Sequence, residues 1–422
     1  MRALSALLIL LCVVATGSAE PTFRELNETF GHPVWMDDSL WDDPHAEVAA
    51  RLELNLESQT TTERSYRSYR QGDRKLLGAG YYSLAMYAVT NRLTQISIMF
   101  LNKGDYTGMT PAAASDAEAW REWQRQRDKK LRGYSSAWRK TRDEIESRLD
   151  KLLGASQRDR FGATAAASET VRRWDWNGHA ILLAAPQSEY IHVRIVPSAV
   201  ADAGGRIEKI RDKELREQLA KRVQRRPNGD VIVTDIPMVN QGPKGYCVPA
   251  TWERYLRYLG IPVDMYWLAV IAETGPGGGT YLQNIVDGAR GLVNQGGRRL
   301  NRISASVSLD RVREYVDKGL PLMWTTHLVG ELNYELTRRA HDRLEVTNME
   351  TWKKKLEEHR RPRKLYRLEK HRPAHQCLII GYNVNTRELA TSDSWGPDFA
   401  ERWLTLEEAD FIDLNECYVI MW

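Results

Sequence analysis

The strongest constraint on the fold is an alternation of apolar and polar residues with a period of two. Leu52, Leu54 and Leu56 show this alternation first, and it recurs at residues 96–100 and 191–195. Because successive side chains of a strand point to opposite faces, the alternation predicts half-buried strands. These strands indicate a mainly antiparallel sheet in the first half of the chain.

A tight turn within this half predicts how two of the strands are joined. Asn177-Gly178 separates the strand-like run 174–176 from the apolar run 180–184. A two-residue hairpin turn needs positive φ at its central positions, and Asn followed by Gly adopts it at little cost. The sequence therefore predicts a β-hairpin at this point.

A highly charged segment at residues 117–154 interrupts the strand pattern. Trp138, Ile145 and Leu149 fall on one helical face there, and Gly154 suits the position that ends a helix. We therefore expect a helical insertion in the sheet domain, folded as a pair of helices.

The chain divides into two domains at a second charged segment, residues 205–229, which closes with a Pro-Asn-Gly turn. We place a β-rich N-terminal domain at residues 51–229 and a C-terminal domain at 230–422. Residues 20–50 show no period and are expected to form an irregular lead-in. The N-terminal domain carries no catalytic or metal-ligating pattern, and its sequence leaves open a cover over a cleft or a partner-binding role.

Within the C-terminal domain, residues 331–372 form a further charged segment. Its composition predicts an exposed insertion of one or two solvated helices. His341, His359 and His371 lie in it and are expected to be solvated as well. The spacing of Cys and His along the chain fits no zinc site, so no metal is predicted.

Charge excludes one class of partner. The 422 residues include 60 Lys and Arg against 56 Asp and Glu, which leaves a net charge of only +4. Nucleic-acid-binding proteins usually present a dense basic face, so no nucleic-acid partner is expected. The composition does not specify the oligomeric state.

Residues 1–19 have the pattern of a secretory signal peptide. Arg2 precedes an apolar run, and Gly17-Ser18-Ala19 supplies the small residues that a signal peptidase reads. The apolar run is too short to cross a bilayer, and no later stretch is long enough. We therefore expect cleavage after Ala19, no membrane span in the mature chain, and a secreted or periplasmic location.

Three cysteines remain once Cys12 is removed with the leader. They are Cys247, Cys377 and Cys417, and an odd count leaves at least one free thiol or an intermolecular bridge. Cys377 and Cys417 lie in strand-like runs and could pair if those strands are neighbours. Two buried apolar thiols are the favoured interpretation.

Cys247 lies at the predicted start of a helix. Trp252, Tyr255 and Leu256 form the apolar face that follows, and Pro249 suits the first turn. The unpaired N–H groups and the positive end of the helix dipole stabilise an anion there. A thiolate is such an anion, so we expect a lowered pKa and a raised nucleophilicity for this thiol.

A single short loop separates Gln241 from Cys247 in the sequence. Its side-chain amide could donate to the oxygen of a carbonyl that the sulfur attacks. The backbone N–H of Cys247 would be the second donor of this oxyanion hole. A cysteine at a helix start is weak evidence for catalysis by itself, so further partners decide the question.

His375 and Asp393 are the predicted partners. His375 begins a strand-like run, a turn follows at residues 383–387, and Asp393 ends the returning strand. The two positions average to the middle of the turn, which predicts opposed side chains on one face with Cβ atoms about 5 Å apart. The imidazole could then donate to the carboxylate and accept a proton from a thiol. Trp395 could cover this hydrogen bond.

Each of these residues also has a structural interpretation. His375 could be a satisfied histidine at a strand end, Asp393 a turn carboxylate and Trp395 a core aromatic. Each interpretation is favoured when its residue is taken alone. The order Gln, Cys, His, Asp along one domain favours the functional interpretation for the set.

The motifs resemble those of papain-like cysteine peptidases, and more closely those of the bacteriocin-processing "double-glycine" peptidase family and its exported relatives. The resemblance rests on Gln-Gly-Pro-Lys-Gly-Tyr-Cys-Val-Pro-Ala at residues 241–250. It rests also on His375 with Asp-Ser-Trp-Gly at residues 393–396.

This resemblance implies an α+β class with a papain-like C-terminal domain, in which the cysteine helix packs on an antiparallel sheet. It implies a Cys247, His375 and Asp393 triad with Gln241 in the oxyanion hole. The implied reaction is hydrolysis of peptide bonds in a peptide or protein through a thioester, without a cofactor.

The glycine-rich loop at residues 275–280 lacks the Gly-Lys-Ser/Thr ending of a phosphate loop, and a flexible turn is favoured. The resemblance implies a lesser alternative, in which Gly277 and Gly278 line a cleft that an extended peptide enters. Trp395 completes this candidate substrate-binding set.

Two further functions stay open from the sequence. The same constellation serves a thiol-dependent amidase or acyltransferase that acts on a non-peptide amide. A non-catalytic peptide-binding module could also retain the peptidase fold.

Overall fold

The computed structural model describes residues 20–69, 74–108, 117–186, 188–277, 279–303, 306–368 and 373–422. The predicted signal peptide lies outside these residues, so cleavage and export stay predictions. Every described helix is either too short or too polar to cross a lipid bilayer.

An eight-stranded antiparallel sheet forms the first half of the described chain. Its strand order is β1-β2-β5-β6-β10-β9-β8-β7, and β3 pairs with β4 separately. The strands are β1 (Asn55–Gln59), β2 (Glu63–Tyr69), β3 (Lys75–Leu76), β4 (Ala79–Gly80), β5 (Ser83–Val89), β6 (Arg92–Asn102), β7 (Gln157–Phe161), β8 (Glu169–Trp176), β9 (His179–Ala184) and β10 (Tyr190–Pro197).

The predicted hairpin is confirmed. Trp176 pairs with His179, and the two residues between them have the positive φ that the turn requires, 40° at Asn177 and 77° at Gly178. The first strand was predicted too early, because Leu52 and Leu54 lie before β1 and are buried there without strand pairing.

The helices of this half differ from expectation at residues 20–50. These residues contain α1 (Phe23–Phe30) and α2 (His45–Arg51), so the irregular lead-in was wrong. Thr22 and Glu25 form a reciprocal capping box at the start of α1, and Leu26 and Phe30 are buried in the core. A helix this short shows too few turns for a period to be recognised in sequence.

The charged insertion is one continuous helix rather than a pair. After α3 (Lys103–Thr107), α4 (Ala117–Leu153) runs without interruption and ends at Gly154, whose φ is 82°. The segment contains no proline, and its single interior glycine costs only about 1 kcal/mol relative to alanine. The Trp138 indole donates to the Tyr190 carbonyl at 3.0 Å and fixes the helix on the sheet.

A second antiparallel sheet forms the rest of the chain. Its strand order is β11-β12-β15-β14-β18-β13, with β16 on β15 and β17 on β16. The strands are β11 (Val223–Arg225), β12 (Asp230–Val233), β13 (Arg299–Ile303), β14 (Leu322–His327), β15 (Ala374–Asn383), β16 (Glu388–Ser392), β17 (Arg402–Thr405) and β18 (Asp413–Met421). With the helices below, this arrangement confirms the α+β class.

The remaining helices all follow the first sheet in the chain. They are α5 (Ser198–Asp202), α6 (Asp212–Lys221), α7 (Cys247–Tyr258), α8 (Met265–Ile271), α9 (Leu282–Gln295), α10 (Leu309–Val316), α11 (Gly330–Leu344), α12 (Met349–Lys355), α13 (Pro362–Leu365) and α14 (Leu406–Ile412), with short 3-10 turns at Glu358–Arg360 and Pro397–Phe399. The apolar face of α7 packs on the sheet, where the Thr251 hydroxyl donates to the Gln376 carbonyl at 3.0 Å.

The two halves share a third apolar core. Met99 and Tyr190 of the first sheet pack there with Tyr246, Met265 and Tyr266 of the second half. The second sheet itself starts at β11, before the predicted boundary at residue 230. The division into domains at that residue stays a prediction.

Part of the charged segment 331–372 is docked on the fold rather than solvated, through buried arginines of α11. Arg339 of α11 lies 2.7 Å from Glu408, and Arg343 lies 2.6 Å from Asp230, with all four side chains buried. Buried charges are retained where they are paired, which a count of charges along the sequence does not reveal.

The histidines of this segment differ in their environments. His359 is half-buried, with Nδ1 3.5 Å from a Glu408 carboxylate oxygen, so the expectation of a solvated side chain was wrong there. His341 is exposed as expected, and His371 lies outside the described residues.

Cys377 and Cys417 are two free, buried thiols, which confirms the favoured interpretation. Both lie opposite Trp324, because β14 separates β15 from β18. Two strand spacings amount to about 10 Å, which is beyond the Cα separation of about 7 Å that a disulfide can bridge.

Candidate functional site

His375 and Asp393 form the centre of the candidate site. The His375 Nε2 atom lies 2.6 Å from Oδ1 of Asp393, and both side chains are buried. The Arg402 guanidinium donates to the other oxygen, Oδ2, at 2.6 Å. The carboxylate is therefore held between a ring nitrogen and a cation, and Nδ1 of the imidazole is left for another partner.

The register of the hairpin differs from the predicted one. Leu378 pairs with Ser392, and a bulge after Ile379 shifts the pairs nearer the turn by one. Continuing the outer register places Asp393 opposite residue 377, so the expected direct opposition of His375 and Asp393 was wrong. Residues two apart share a face of a strand, so the two side chains still meet diagonally.

Cys247 is the first residue of α7, and its side chain is half-buried. Burial alone would raise the pKa of the thiol. A hydrogen bond and charge interaction with His375, together with backbone hydrogen bonds from Gln376 and Val248, outweigh burial and lower the pKa below its ordinary value. The thiol of Cys247 therefore interacts with the same imidazole that is hydrogen-bonded to Asp393.

The same interactions also shift the pKa values of His375 and Asp393. Burial opposes the charged form of His375, but the hydrogen bonds and charges of Asp393 and Cys247 raise its pKa to about 9. Burial also opposes ionisation of Asp393, yet Arg402 and His375 lower the pKa of that carboxyl to about 2. These directions favour a thiolate beside an imidazolium, with an ionised carboxylate behind it.

We expect the alkylation rate of Cys247 by iodoacetamide to rise with pH around a midpoint below the ordinary cysteine value. In His375→Ala the stabilising cation is lost while burial remains, so the midpoint should move to higher pH. The measurement is the pH dependence of the rate, followed by mass spectrometry of the peptide that contains Cys247.

His359→Ala is the matched control for this experiment. His359 contacts Glu408 and Tyr366 in the docked segment, so its removal should leave the midpoint unchanged. An identical midpoint in wild-type protein and His375→Ala would contradict the ion pair.

Gln241 is buried beside the loop that leads to Cys247. Its Nε2 donates to the Lys244 carbonyl at 2.8 Å, and its Oε1 accepts from the Ser394 hydroxyl at 3.1 Å. Its backbone N–H donates to the Ser394 carbonyl at 2.8 Å. These contacts fix the orientation of the amide, which has a second N–H to offer. The oxyanion role of Gln241 stays a prediction.

Trp395 lies flat on His375, with ring centroids 4.4 Å apart and planes inclined by 25°. The Arg402 guanidinium lies 5.3 Å from the centroid of the same indole. The indole thus covers one face of the imidazole. Its role in substrate binding stays a prediction.

The glycine-rich loop lies next to the loop that precedes Cys247. Gly279 donates its N–H to the Gly245 carbonyl at 3.2 Å. A Cβ at Gly277, whose φ is 86°, would lie 2.5 Å from the Trp123 ring of α4, so the helix approaches this loop closely. Gly278 lies outside the described residues, and substrate binding by either glycine stays a prediction.

Sequence reasoning missed two arginines of the site. Arg402 binds Asp393, and Arg254 of α7 donates to the Pro237 carbonyl at 3.0 Å and to the Ser392 carbonyl at 3.1 Å. Arg254 is a charged residue next to an apolar helix face, which is a recognisable signal. Arg402 carries no such signal, because its partner is set by the fold. Within the described ranges, no group of three or more His, Cys, Asp or Glu side chains is arranged to hold a metal ion.

Comparison with known proteins gives one family match. Residues 233–421 match the model of the Peptidase_C39 like family, and these residues contain Gln241, Cys247, His375 and Asp393. No curated protein matches the chain. The family match supports a C39-like cysteine peptidase, a hydrolase, for the C-terminal part of this chain.

Proposed function

We propose that this chain is an exported papain-like cysteine peptidase that cleaves peptide bonds through Cys247, His375 and Asp393. The observation that carries the proposal is the buried hydrogen bond between His375 and Asp393, with the Cys247 thiol interacting with the same imidazole. A nucleophile, a base and a group that orients the base are what covalent catalysis of acyl transfer requires. The family match over residues 233–421 supports the same chemistry.

The reaction would start with attack of the Cys247 thiolate on the carbonyl carbon of a peptide bond. The Sγ–C bond forms, and the oxyanion accepts hydrogen bonds from the Gln241 amide and the Cys247 backbone N–H. His375 then gives its proton to the leaving amine as the C–N bond breaks. Water, deprotonated by the neutral imidazole, hydrolyses the resulting thioester and restores the free thiol.

Asp393 and its neighbours would keep His375 in position for both proton transfers. The carboxylate accepts from Nε2, so Nδ1 is the ring nitrogen that is left for the thiol. Trp395 covers the imidazole and keeps water from competing for the hydrogen bond to Asp393. The substrate would be a peptide or protein, and residues 1–19 would direct the chain to a secreted or periplasmic location.

An electrophilic peptide probe, a peptidyl vinyl sulfone, tests the proposed function. We expect a covalent adduct on Cys247, because its thiol is half-buried and its pKa is lowered. Cys377 and Cys417 should stay unlabelled, because burial raises the pKa of both thiols, to about 12 at Cys417. The adduct is located by mass spectrometry of the digested protein.

Hydrolysis of a peptide library by the same preparation separates catalysis from binding alone. Hydrolysis without an added amine supports a peptidase, and turnover that needs an amine acceptor points to acyl transfer. Equal labelling of all three thiols, or no hydrolysis by wild-type protein, would contradict the proposed function.

A further inference from the structure

The segment 238–246, which we call the oxyanion segment, is bound to the first sheet. Glu57 of β1 accepts the backbone N–H of Asn240 at 2.7 Å, and the Tyr69 hydroxyl of β2 donates to the Asn240 carbonyl. Arg67 in turn holds the Glu57 carboxylate at 2.7 Å. The main chain that carries Gln241 is therefore placed by side chains of the other half of the protein.

Lys244 is the most unusual residue of the oxyanion segment. Its side chain is fully buried, and its Nζ lies 3.2 Å from an Asp105 oxygen and 4.5 Å from the centroid of the Tyr69 ring. The Tyr246 and Tyr266 rings lie 5.5 and 5.3 Å away. Burying an ammonium group is costly unless it is paired, so this environment fixes the position of the cation closely.

Asp105, the partner of this cation, is itself fixed in position. The Asn102 side chain caps α3, accepting the Asp105 backbone N–H at 2.9 Å and donating to the Asp105 carboxylate at 2.6 Å. Burial lowers the pKa of Lys244 to about 8 while Asp105 acts in the opposite direction, so the side chain keeps its charge at neutral pH. The proposed chemistry gives this buried pair no step of its own.

The backbone of Lys244 connects the buried pair to the site. Its carbonyl accepts the Gln241 Nε2–H at 2.8 Å, and its N–H donates to the Gly242 carbonyl at 2.8 Å. A shift of the lysine would move the carbonyl that orients the Gln241 amide. We infer that Lys244, clamped by Asp105 and Tyr69, is a positioning residue for the Gln241 oxyanion donor.

Two close approaches leave the oxyanion segment little freedom. Gly242 has a φ of 70°, and a Cβ there would lie 2.6 Å from the Tyr69 ring. A Cβ at Gly104 would lie 2.6 Å from the Tyr246 ring. The first sheet and α3 therefore hold the oxyanion segment in place from the other half of the chain.

Lys244→Met in the full chain tests the inference, which rests on the proposed function. Methionine fills most of the space but removes the charge that Asp105 and Tyr69 hold. We expect kcat for a peptide substrate to fall about tenfold or more, because loss of one oxyanion donor costs about 10²–10³ and its displacement costs part of that. The rate of Cys247 alkylation should stay within about twofold, since His375 and the thiol are untouched.

Arg194→Met is the matched control. Arg194 is also buried between the two halves, 2.7 Å from Asp264, but it does not contact the oxyanion segment. We expect its kcat to stay within about twofold of wild type below its unfolding temperature. Hydrogen exchange of residues 238–246 should rise in Lys244→Met and stay unchanged in Arg194→Met.

Tyr69→Phe decides the question if Lys244→Met does not fold. It removes the hydrogen bond to the Asn240 carbonyl and keeps the ring, and it should lower kcat about threefold or more at unchanged alkylation. The inference is overturned, and the proposed function is not, if the folded Lys244→Met variant has a normal kcat. The same holds if Arg194→Met loses as much kcat as Lys244→Met does. Absence of turnover in wild-type protein overturns the proposed function and the inference with it.

Discussion

Replacing Cys247 by alanine is expected to reduce peptide hydrolysis by a factor on the order of 10⁴ or more. The sulfur atom of the thiol forms the covalent acyl intermediate. A water molecule that replaced it in the variant would be a poor nucleophile for an amide. The remaining groups, Gln241 and His375, could only bind and polarise the carbonyl. The measurement is kcat/KM for a peptide substrate together with thermal unfolding of the variant.

Cys417→Ala is the control for this substitution. Cys417 is a buried free thiol in β18, beside β14, so its removal leaves a small cavity and lowers the free energy of unfolding without touching the reaction. Its kcat/KM should stay close to that of wild-type protein. If Cys247→Ala retained a tenth of the wild-type rate, the thiol would not be the nucleophile.

Asp393→Asn should lower kcat by about 10³–10⁴, the second largest effect that we expect. Arg402 only donates hydrogen bonds, so the amide oxygen of the asparagine should face Arg402 and its NH2 group should face His375. Nε2 of the ring would then have to accept. The proton would sit on Nδ1, towards the thiol, where the ring can no longer take a proton from Cys247.

Asp230→Asn is a closely matched control for this prediction. Asp230 is equally buried and holds Arg343 at 2.6 Å and the Asn383 amide at 2.7 Å, but none of the three belongs to the candidate site. It should lose stability and keep its kcat. The orienting role of Asp393 is refuted by a kcat within about threefold of wild type in Asp393→Asn, or by an equal loss of kcat in Asp230→Asn.

Local sequence patterns predicted the features that depend on near neighbours. Asn177 and Gly178 predicted the hairpin because they readily adopt the two positive φ angles of its turn. The apolar face of one helix predicted that α7 starts at Cys247. The meeting of His375 with Asp393 depended on face alternation, which a shift of two residues in register preserves. The register is set by a turn that closes between Asn383 and Glu388, and the bulge after Ile379 then shifts it by one; the sequence predicted neither.

Features that depend on distant partners were not predictable in this way. Arg402 meets Asp393 because β17 pairs with β16, and Lys244 is buried because the first sheet packs on the oxyanion segment. The charged segment of α11 was expected in solvent because its partners, Glu408 and Asp230, lie far away along the chain. The pattern of charges along a sequence shows only the composition of a segment. Whether its charged side chains are buried depends on the partners that they meet in the folded protein.

The strand between Cys377 and Cys417 has a consequence for redox chemistry. With β14 between them, an oxidant cannot join these two thiols unless the sheet comes apart, and the raised pKa of each leaves little thiolate to react. Oxidation of the native fold would therefore begin at the sulfur of Cys247, with formation of a sulfenic acid. A mild oxidant would stop the proposed hydrolysis at Cys247 while Cys377 and Cys417 stayed reduced, so the proposed exported enzyme would need a reductant or a protected thiol to stay active.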